Sequence, residues 1–298
     1  MISHHYGEIA ALIVAFFWSI TALAFESASR KVGSIPVNII RLVIGFTFLS
    51  LLNLVVRGIP FPYDASAHNW IWLSISGLIG FVIGDFFLLK SFTIIGSWFA
   101  MLVMTLAPPM AAIFGWFLLD EHLGWISISG IVITMLGIVV AMLHRDKESR
   151  KFKSSKPLLG LLYAFGGALG QALGIVFSKY GMEQYSPFAA TQIRVFMGII
   201  GLIIIITLMK KWVPVFEALK HKKAMTHVTV GAFFGPFLGV SFSLIAIRYT
   251  STGIASTIMA MVPIFIIPPS VWYFKHKITL REIIGTLISL AGVTLFFL

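Results

Sequence analysis

Ten apolar stretches, each close to twenty residues long, recur at 8–28, 35–56, 70–90, 97–119, 124–143, 158–178, 187–209, 226–247, 253–274 and 280–298. At about 1.5 Å rise per residue, each is long enough as a helix to cross a hydrocarbon layer about 30 Å thick. In that layer only helices and closed barrels satisfy their own backbone polar groups. The runs are continuous rather than alternating, which favours helices over barrel strands. The expected fold class is therefore an all-α membrane protein with ten transmembrane helices. Composition agrees: 58% of the 298 residues are apolar and 11% charged, against about 45–50% and about 25% in soluble domains. A soluble enzyme of this length is excluded. The longest breaks, 144–157 and 210–225, are short basic linkers that leave no room for an extramembrane domain. MISHHYGE at the start lacks a basic region and a small-residue cleavage site, so the first span is expected to remain as helix 1. No cysteine is present, which removes disulfides, thiolate chemistry and cysteine-based metal sites.

The linker at 144–157 divides the spans into five and five, giving candidate repeats at 1–143 and 158–298. A shift of 153 pairs Gly7 with Gly160, Arg41 with Arg194 and Gly45 with Gly198. A shift of 155 pairs Gly84 with Gly239, Met104 with Met259, Pro108 with Pro263, Gly130 with Gly285 and Gly137 with Gly292. Chance alignment of two low-complexity halves is the competing reading. If the duplication is real, the odd number of spans per half makes the repeats inverted. Inverted repeats are associated with alternating access around a site near the membrane midplane.

Trp18-Ser19 in helix 1, an arginine early in helix 2, SWFAMLVMTLAPPMAAIFGWFLLDEHLGW (97–125) and its second copy TGIASTIMAMVPIFIIPPSVWYFKHKITL (252–280) resemble the EamA branch of the drug/metabolite transporter superfamily. The resemblance spans essentially the whole chain. It implies a ten-helix permease of the bacterial inner membrane, often an exporter of amino acids or other small metabolites. Glu121 matches an acid that commonly follows the fourth helix in that family, whereas the second repeat carries His276 there. Small multidrug exporters of the superfamily use an acid near the middle of helix 1. The corresponding stretch here, VAFFWSITAL (14–23), has none, which counts against a cationic-drug antiporter.

Connections 1–2, 3–4, 5–6, 7–8 and 9–10 hold seventeen basic residues, and the other side holds three, Arg57, Lys179 and Arg248. The positive-inside rule then puts both termini outside the cytoplasm, opposite to the habit of the related permeases. The basic loops are expected to meet anionic lipid headgroups rather than nucleic acid.

Ionisable groups within the spans are functional candidates by default. Arg41 and Asp85 lie at similar depth below one surface and are expected to pair. The counterpart of Asp85 is Val240, so Arg194 has no evident acidic partner. An unpaired guanidinium facing a cavity suits a carboxylate or phosphate; alternatively, Arg194 snorkels or bonds to free carbonyls. Asp85, the deepest clear acid, is the candidate proton-coupling site. Trp18 and Gln171, equivalent under the 153 shift, join Asn38 and Gln192 as candidate substrate contacts, with helix bridging as the alternative for the amides. Pro108, Pro109, Pro263, Pro268 and Pro269 interrupt helices 4 and 9 and are candidate gating positions.

The eight histidines show no metal-ligand spacing, and no P-loop, G-x-S-x-G or paired-carboxylate motif occurs, so no cofactor is expected. The expectation is a monomer or weak dimer that moves a small polar or zwitterionic metabolite. A flippase for an amphiphilic, lipid-like substrate is the alternative, and a membrane-embedded enzyme lacks the clustered catalytic groups it would need.

Overall fold

The computed structural model describes residues 5–142, 157–262, 264–266 and 280–297. Pro263, Pro268, Pro269 and most of the 144–157 linker lie outside them. Among the described residues every regular element is a helix: α1 (Tyr6–Val32), α2 (Ser34–Arg57), α3 (Ala67–Gly96), α4 (Ala107–Leu119), α5 (Trp125–Met142), α6 (Pro157–Met182), α7 (Pro187–Leu208), α8 (Trp212–Lys220), α9 (Lys222–Tyr249), α10 (Thr252–Met259) and α11 (Leu280–Thr294). Six of them (α1, α2, α3, α6, α7 and α9) are long and apolar enough to cross a membrane, and the remaining apolar helices are shorter. The first half runs as three long helices then two short ones, and the second half repeats this with the short α8 inserted before its third long helix. The chain is a multi-pass membrane protein, and its outer surface is accordingly apolar, with Val55 83% and Trp125 84% exposed.

Two irregularities recur at the 155-residue offset. Seven residues of α3, Leu78–Gly84, are wound as a π-helix, and so are seven of α9, Phe233–Gly239. Pro236, which has no N–H to donate, lies within the second of these turns, while its equivalent in the first is Phe81. Turns at 105–106 and 260–261 interrupt the segments entering α4 and leaving α10 at equivalent positions. Pro108 and Pro109 occupy the first turn of α4, where donors have no intrahelical partner anyway. They open the helix that follows the break at 105–106, so the interruption expected in the 97–119 span lies just before them. Gly96, at φ +80°, makes the turn out of α3 in a conformation that favours glycine.

Contacts are exchanged between the halves. Helix α1 packs on α9 and α6 on α3, while α2 pairs with α7, α4 with α10 and α5 with α11. Glycines make the closest approaches possible. A Cβ on Gly231, Gly235 or Gly239 of α9 would strike Phe25, Thr21 or Trp18 of α1 at 2.3, 2.9 and 2.6 Å. On the α6–α3 side, a Cβ on Gly170 would lie 2.6 Å from the Cα of Gly84. These are the small-residue faces through which membrane helices pack without a hydrophobic drive.

Residues 210–225, expected to be a linker, contain a helix. In α8, Trp212, Val215, Phe216 and Leu219 fall at i, i+3, i+4 and i+7; Val215 and Ala218 are buried and Phe216 remains exposed. This spacing makes an interfacial amphipathic helix, which its flanking lysines obscured.

Candidate substrate cavity

A cavity of about 1090 Å³, including the space at its mouth, occupies the middle of the bundle. Trp18, Arg41, Asp85, Pro108, Gln171 and Arg194, all singled out from sequence, line it. Asn38, Gln192 and Pro109 do not.

Arg41 enters from α2 and is 5% exposed. Its Nε and one terminal nitrogen donate to Asn38 Oδ1 at 2.9 and 2.8 Å, and the same terminal nitrogen bonds Asp85 Oδ2. The expected ion pair is therefore present, and Asn38 orients it from one turn away. Asn38 also donates through Nδ2 to the Phe81 carbonyl at 3.1 Å, within the π-helical turn of α3. Phe25 and Phe81 rings lie 5.2 and 5.9 Å from the Arg41 guanidinium.

Arg194 enters from α7, equally buried at 5%, and has a different environment. Its guanidinium lies 5.0 Å from the Phe81 ring. Gly80 and Gly174 give it room, since a Cβ on either would sit 3.4 or 3.6 Å from its terminal nitrogen. Among the described residues none accepts a hydrogen bond from it, and Nε is buried without a partner. Snorkelling is thereby corrected, as is bonding to described carbonyls. Ser256, not recognised from sequence, lines the same cavity with a buried hydroxyl that also lacks a partner. Its only sequence signal is a polar residue within the apolar run GIASTIMAMV.

Gln192 has a structural role. Fully buried, it accepts from Asn53 Nδ2 at 2.8 Å and donates to Ser50 Oγ and the Pro60 carbonyl at 2.8 and 2.7 Å. All its main hydrogen-bonding positions are spent joining α7 to α2 and the loop after it, so substrate contact is corrected to helix bridging.

The cavity is lopsided. It reaches Phe25 and Phe92, but the second-half equivalents Ser178 and Ile247 are buried outside it. Gly96 lies beside Arg30 and Glu26, so the extension points toward the end of the bundle holding the α1–α2 and α3–α4 connections. The opposite end is tied shut. Lys179 Nζ lies 2.7 Å from Glu121 Oε1 and donates to the Thr250 carbonyl at 2.7 Å. Glu121 Oε2 accepts from the Thr252 backbone N–H and hydroxyl at 2.9 and 2.6 Å, at the start of α10. Arg57 pairs with Asp64 at 2.5 Å, and Tyr185 donates to Asp64 Oδ1 at 2.8 Å. Burial, and then that bond to Asp64, push the Tyr185 hydroxyl up to about 12. Arg248 donates to Gln184 Oε1 at 2.9 Å. Of the three basic residues on this charge-poor side, Lys179 is held across the halves by Glu121 and Arg57 by Tyr185, while Arg248 is held within the second half.

The described residues contain no group of three or more His, Asp or Glu placed to hold a metal ion.

The sequence profile of the EamA-like transporter family matches residues 5–143 and 158–298. An uncharacterized transporter of Clostridium kluyveri is 22% identical over 287 residues, covering 96% of this chain and 91% of that protein. One from Archaeoglobus fulgidus is 26% identical over 138 residues, 46% of this chain and 45% of its own length. A crystal structure covering 97% of this chain and 96% of its own superposes with a TM-score of 0.71 at 17% identity, a likeness of fold.

Proposed function

The chain belongs to the EamA-like transporter family, and from that premise we propose that it is a secondary active transporter of the bacterial cytoplasmic membrane. It is built as ten membrane helices in two inverted five-helix repeats, 1–143 and 158–298, and exports a small polar or zwitterionic metabolite by alternating access. The observation that carries this reading is the lopsided cavity: it extends toward one end of the bundle, while cross-linked side chains close the other. A one-sided cavity between exchanged, similar halves is what one state of a rocking transporter requires. By the seventeen-to-three bias of basic residues, the open end faces the cytoplasm.

In this mechanism Arg41 and Asp85 form a switch. Asp85 as an anion holds Arg41; protonated, it releases Arg41 into the cavity, and substrate binding and proton occupancy become linked. Trp18 and Gln171 line the path from α1 and α6, and the breaks at 105–106 and 260–261 give α4 and α10 points at which to move.

Flux into proteoliposomes tests the reading, with amino acids, small carboxylates and a fluorescent lipid as cargo and an imposed proton gradient. Metabolite flux driven by the gradient is expected, and Asp85→Asn should remove the gradient dependence while leaving exchange. Lipid movement alone would indicate a flippase, and gradient-driven flux in the variant would remove Asp85 as the coupling site.

A further inference from the structure

We infer that the transported species is a net monoanion with an apolar body, whose carboxylate, or chemically similar oxyanion, is held by Arg194 and Ser256. This rests on the transporter reading and narrows its substrate class.

The charge balance comes first. Among the described residues, three ionisable ones line the cavity: Arg41, Asp85 and Arg194. Two guanidinium groups against one carboxylate leave one positive charge, and Asp85 is already committed to Arg41. The residual charge belongs to Arg194, which has no hydrogen-bond acceptor among the described residues. Asp85 acts on Arg194 only through space, its hydrogen bond going to Arg41; a buried guanidinium without a hydrogen-bonded counter-charge costs several kcal/mol, and a ligand carrying one negative charge lowers that cost. A zwitterion fits less well. Its carboxylate would satisfy Arg194, but its ammonium would need an acceptor, and the cavity's one carboxylate is occupied.

The second observation is Ser256. Ser256 is 5% exposed, and its hydroxyl is buried, belongs to the same cavity lining and has no partner. A hydroxyl can donate to an oxyanion beside an arginine, as in many carboxylate sites. The remaining wall is supplied by Trp18, Phe25, Phe81, Phe92, Met101 and Met104, which matches an apolar or aromatic body rather than a heavily hydroxylated one.

Four ligands of one shape separate charge from size: 3-phenylpropanoate, 3-phenylpropanamide, phenylalanine and phenethylamine. Their binding to the purified full-length protein is read by calorimetry and by thermal stabilisation, which rises with the logarithm of ligand concentration over affinity. The carboxylate should bind at least about tenfold tighter than the amide and phenylalanine, with the amine weakest. Arg194→Gln should abolish that preference. Ser256→Ala, a smaller change that keeps the charge, should weaken the carboxylate about three- to tenfold while leaving the amide unchanged. Equal affinity for carboxylate and amide, tighter binding of phenylalanine, or no binding of any of the four at millimolar concentration overturns the inference. Binding with the expected charge preference but no flux would instead defeat the transporter reading and leave the charge selection standing.

Discussion

Glu121→Gln should loosen the closed end of the bundle without unfolding α10. The amide oxygen of Gln can still accept from the Thr252 N–H and hydroxyl, which the carboxylate now does at 2.9 and 2.6 Å. What is lost is the charge facing Lys179 at 2.7 Å. That pair is partly buried, with side chains 12% and 26% exposed. It therefore contributes more than the roughly 0.2–1 kcal/mol of exposed pairs, but less than a fully buried charged hydrogen bond at about 1.5–3 kcal/mol. A loss of about 0.5–1.5 kcal/mol from the closed state alone raises the population open at this end about 2- to 12-fold. The chain has no cysteine, so a single Ser243→Cys reports on this directly. Ser243 lines the cavity, is 2% exposed and bonds only the carbonyl of Val240 in its own helix among the described residues. A membrane-impermeant thiol reagent applied from the charge-poor side should modify it about 2- to 12-fold faster in the Glu121→Gln background, in proportion to the open population. An unchanged rate, with stability lowered by the same amount, would mean that the pair braces the fold and does not gate.

Asp85→Ala and Arg41→Met should each destabilise the protein by about 3–5 kcal/mol, since each leaves a buried charge unpaired, whereas the double variant should recover most of the loss; additive losses in a thermal double-mutant cycle would argue against a coupled pair. Gln192→Ala should cost about 2–3 kcal/mol in stability by stranding Asn53, Ser50 and the Pro60 carbonyl, and leave substrate affinity unchanged; altered affinity would return Gln192 to the substrate site. The Tyr185 hydroxyl, raised from 10 to about 12 by burial and Asp64, contributes stability that is complete below pH 10 and lost as pH rises toward 12. Across that window Tyr185→Phe should show a flatter decline in melting temperature than the parent, and parallel curves would mean that Tyr185 does not titrate there.

Apolar runs located the six long helices because twenty apolar residues in a row have few other physical solutions. The same criterion missed α8, whose apolar residues cover only one face, and it set the 70–90 span short of α3, whose described helix runs from Ala67 to Gly96. Arg41, Asp85, Arg194, Trp18 and Gln171 stood out as candidates because charge and polarity are rare inside an apolar chain, and all five line one cavity. Gln192 and Asn38 were equally conspicuous but bond to protein atoms, since an amide carries donors and acceptors that suit a neighbouring helix as well as a ligand. Ser256 passed unnoticed for the opposite reason. Membrane helices often satisfy a serine hydroxyl on the preceding turn, as Ser241 does on Phe237, and only coordinates distinguish the serine that does not.

The two arginines show how equivalent positions in a duplicated frame come to differ. Arg41 and Arg194 occupy equivalent positions and are equally buried, but their surroundings have diverged. Where Arg41 has Asn38, Arg194 has Thr191, whose hydroxyl is spent on the Pro187 carbonyl; where Arg41 has Asp85, Arg194 has Val240. One guanidinium is therefore hydrogen-bonded by protein and the other, among the described residues, is not, and the side chains at two equivalent positions differ accordingly. Val240→Asp would restore the missing acid at a position that already lines the cavity. The added carboxylate should pair with Arg194 as Asp85 pairs with Arg41, cancel the surplus charge and reduce 3-phenylpropanoate affinity about tenfold or more, with little loss of stability. Asn at the same position is the control: similar in size but uncharged, it should leave most of the affinity in place. Retained carboxylate binding in the Asp variant, in a protein that still melts cooperatively, would show that Arg194 does not supply the anion site and that the divergence of the repeats has another cause.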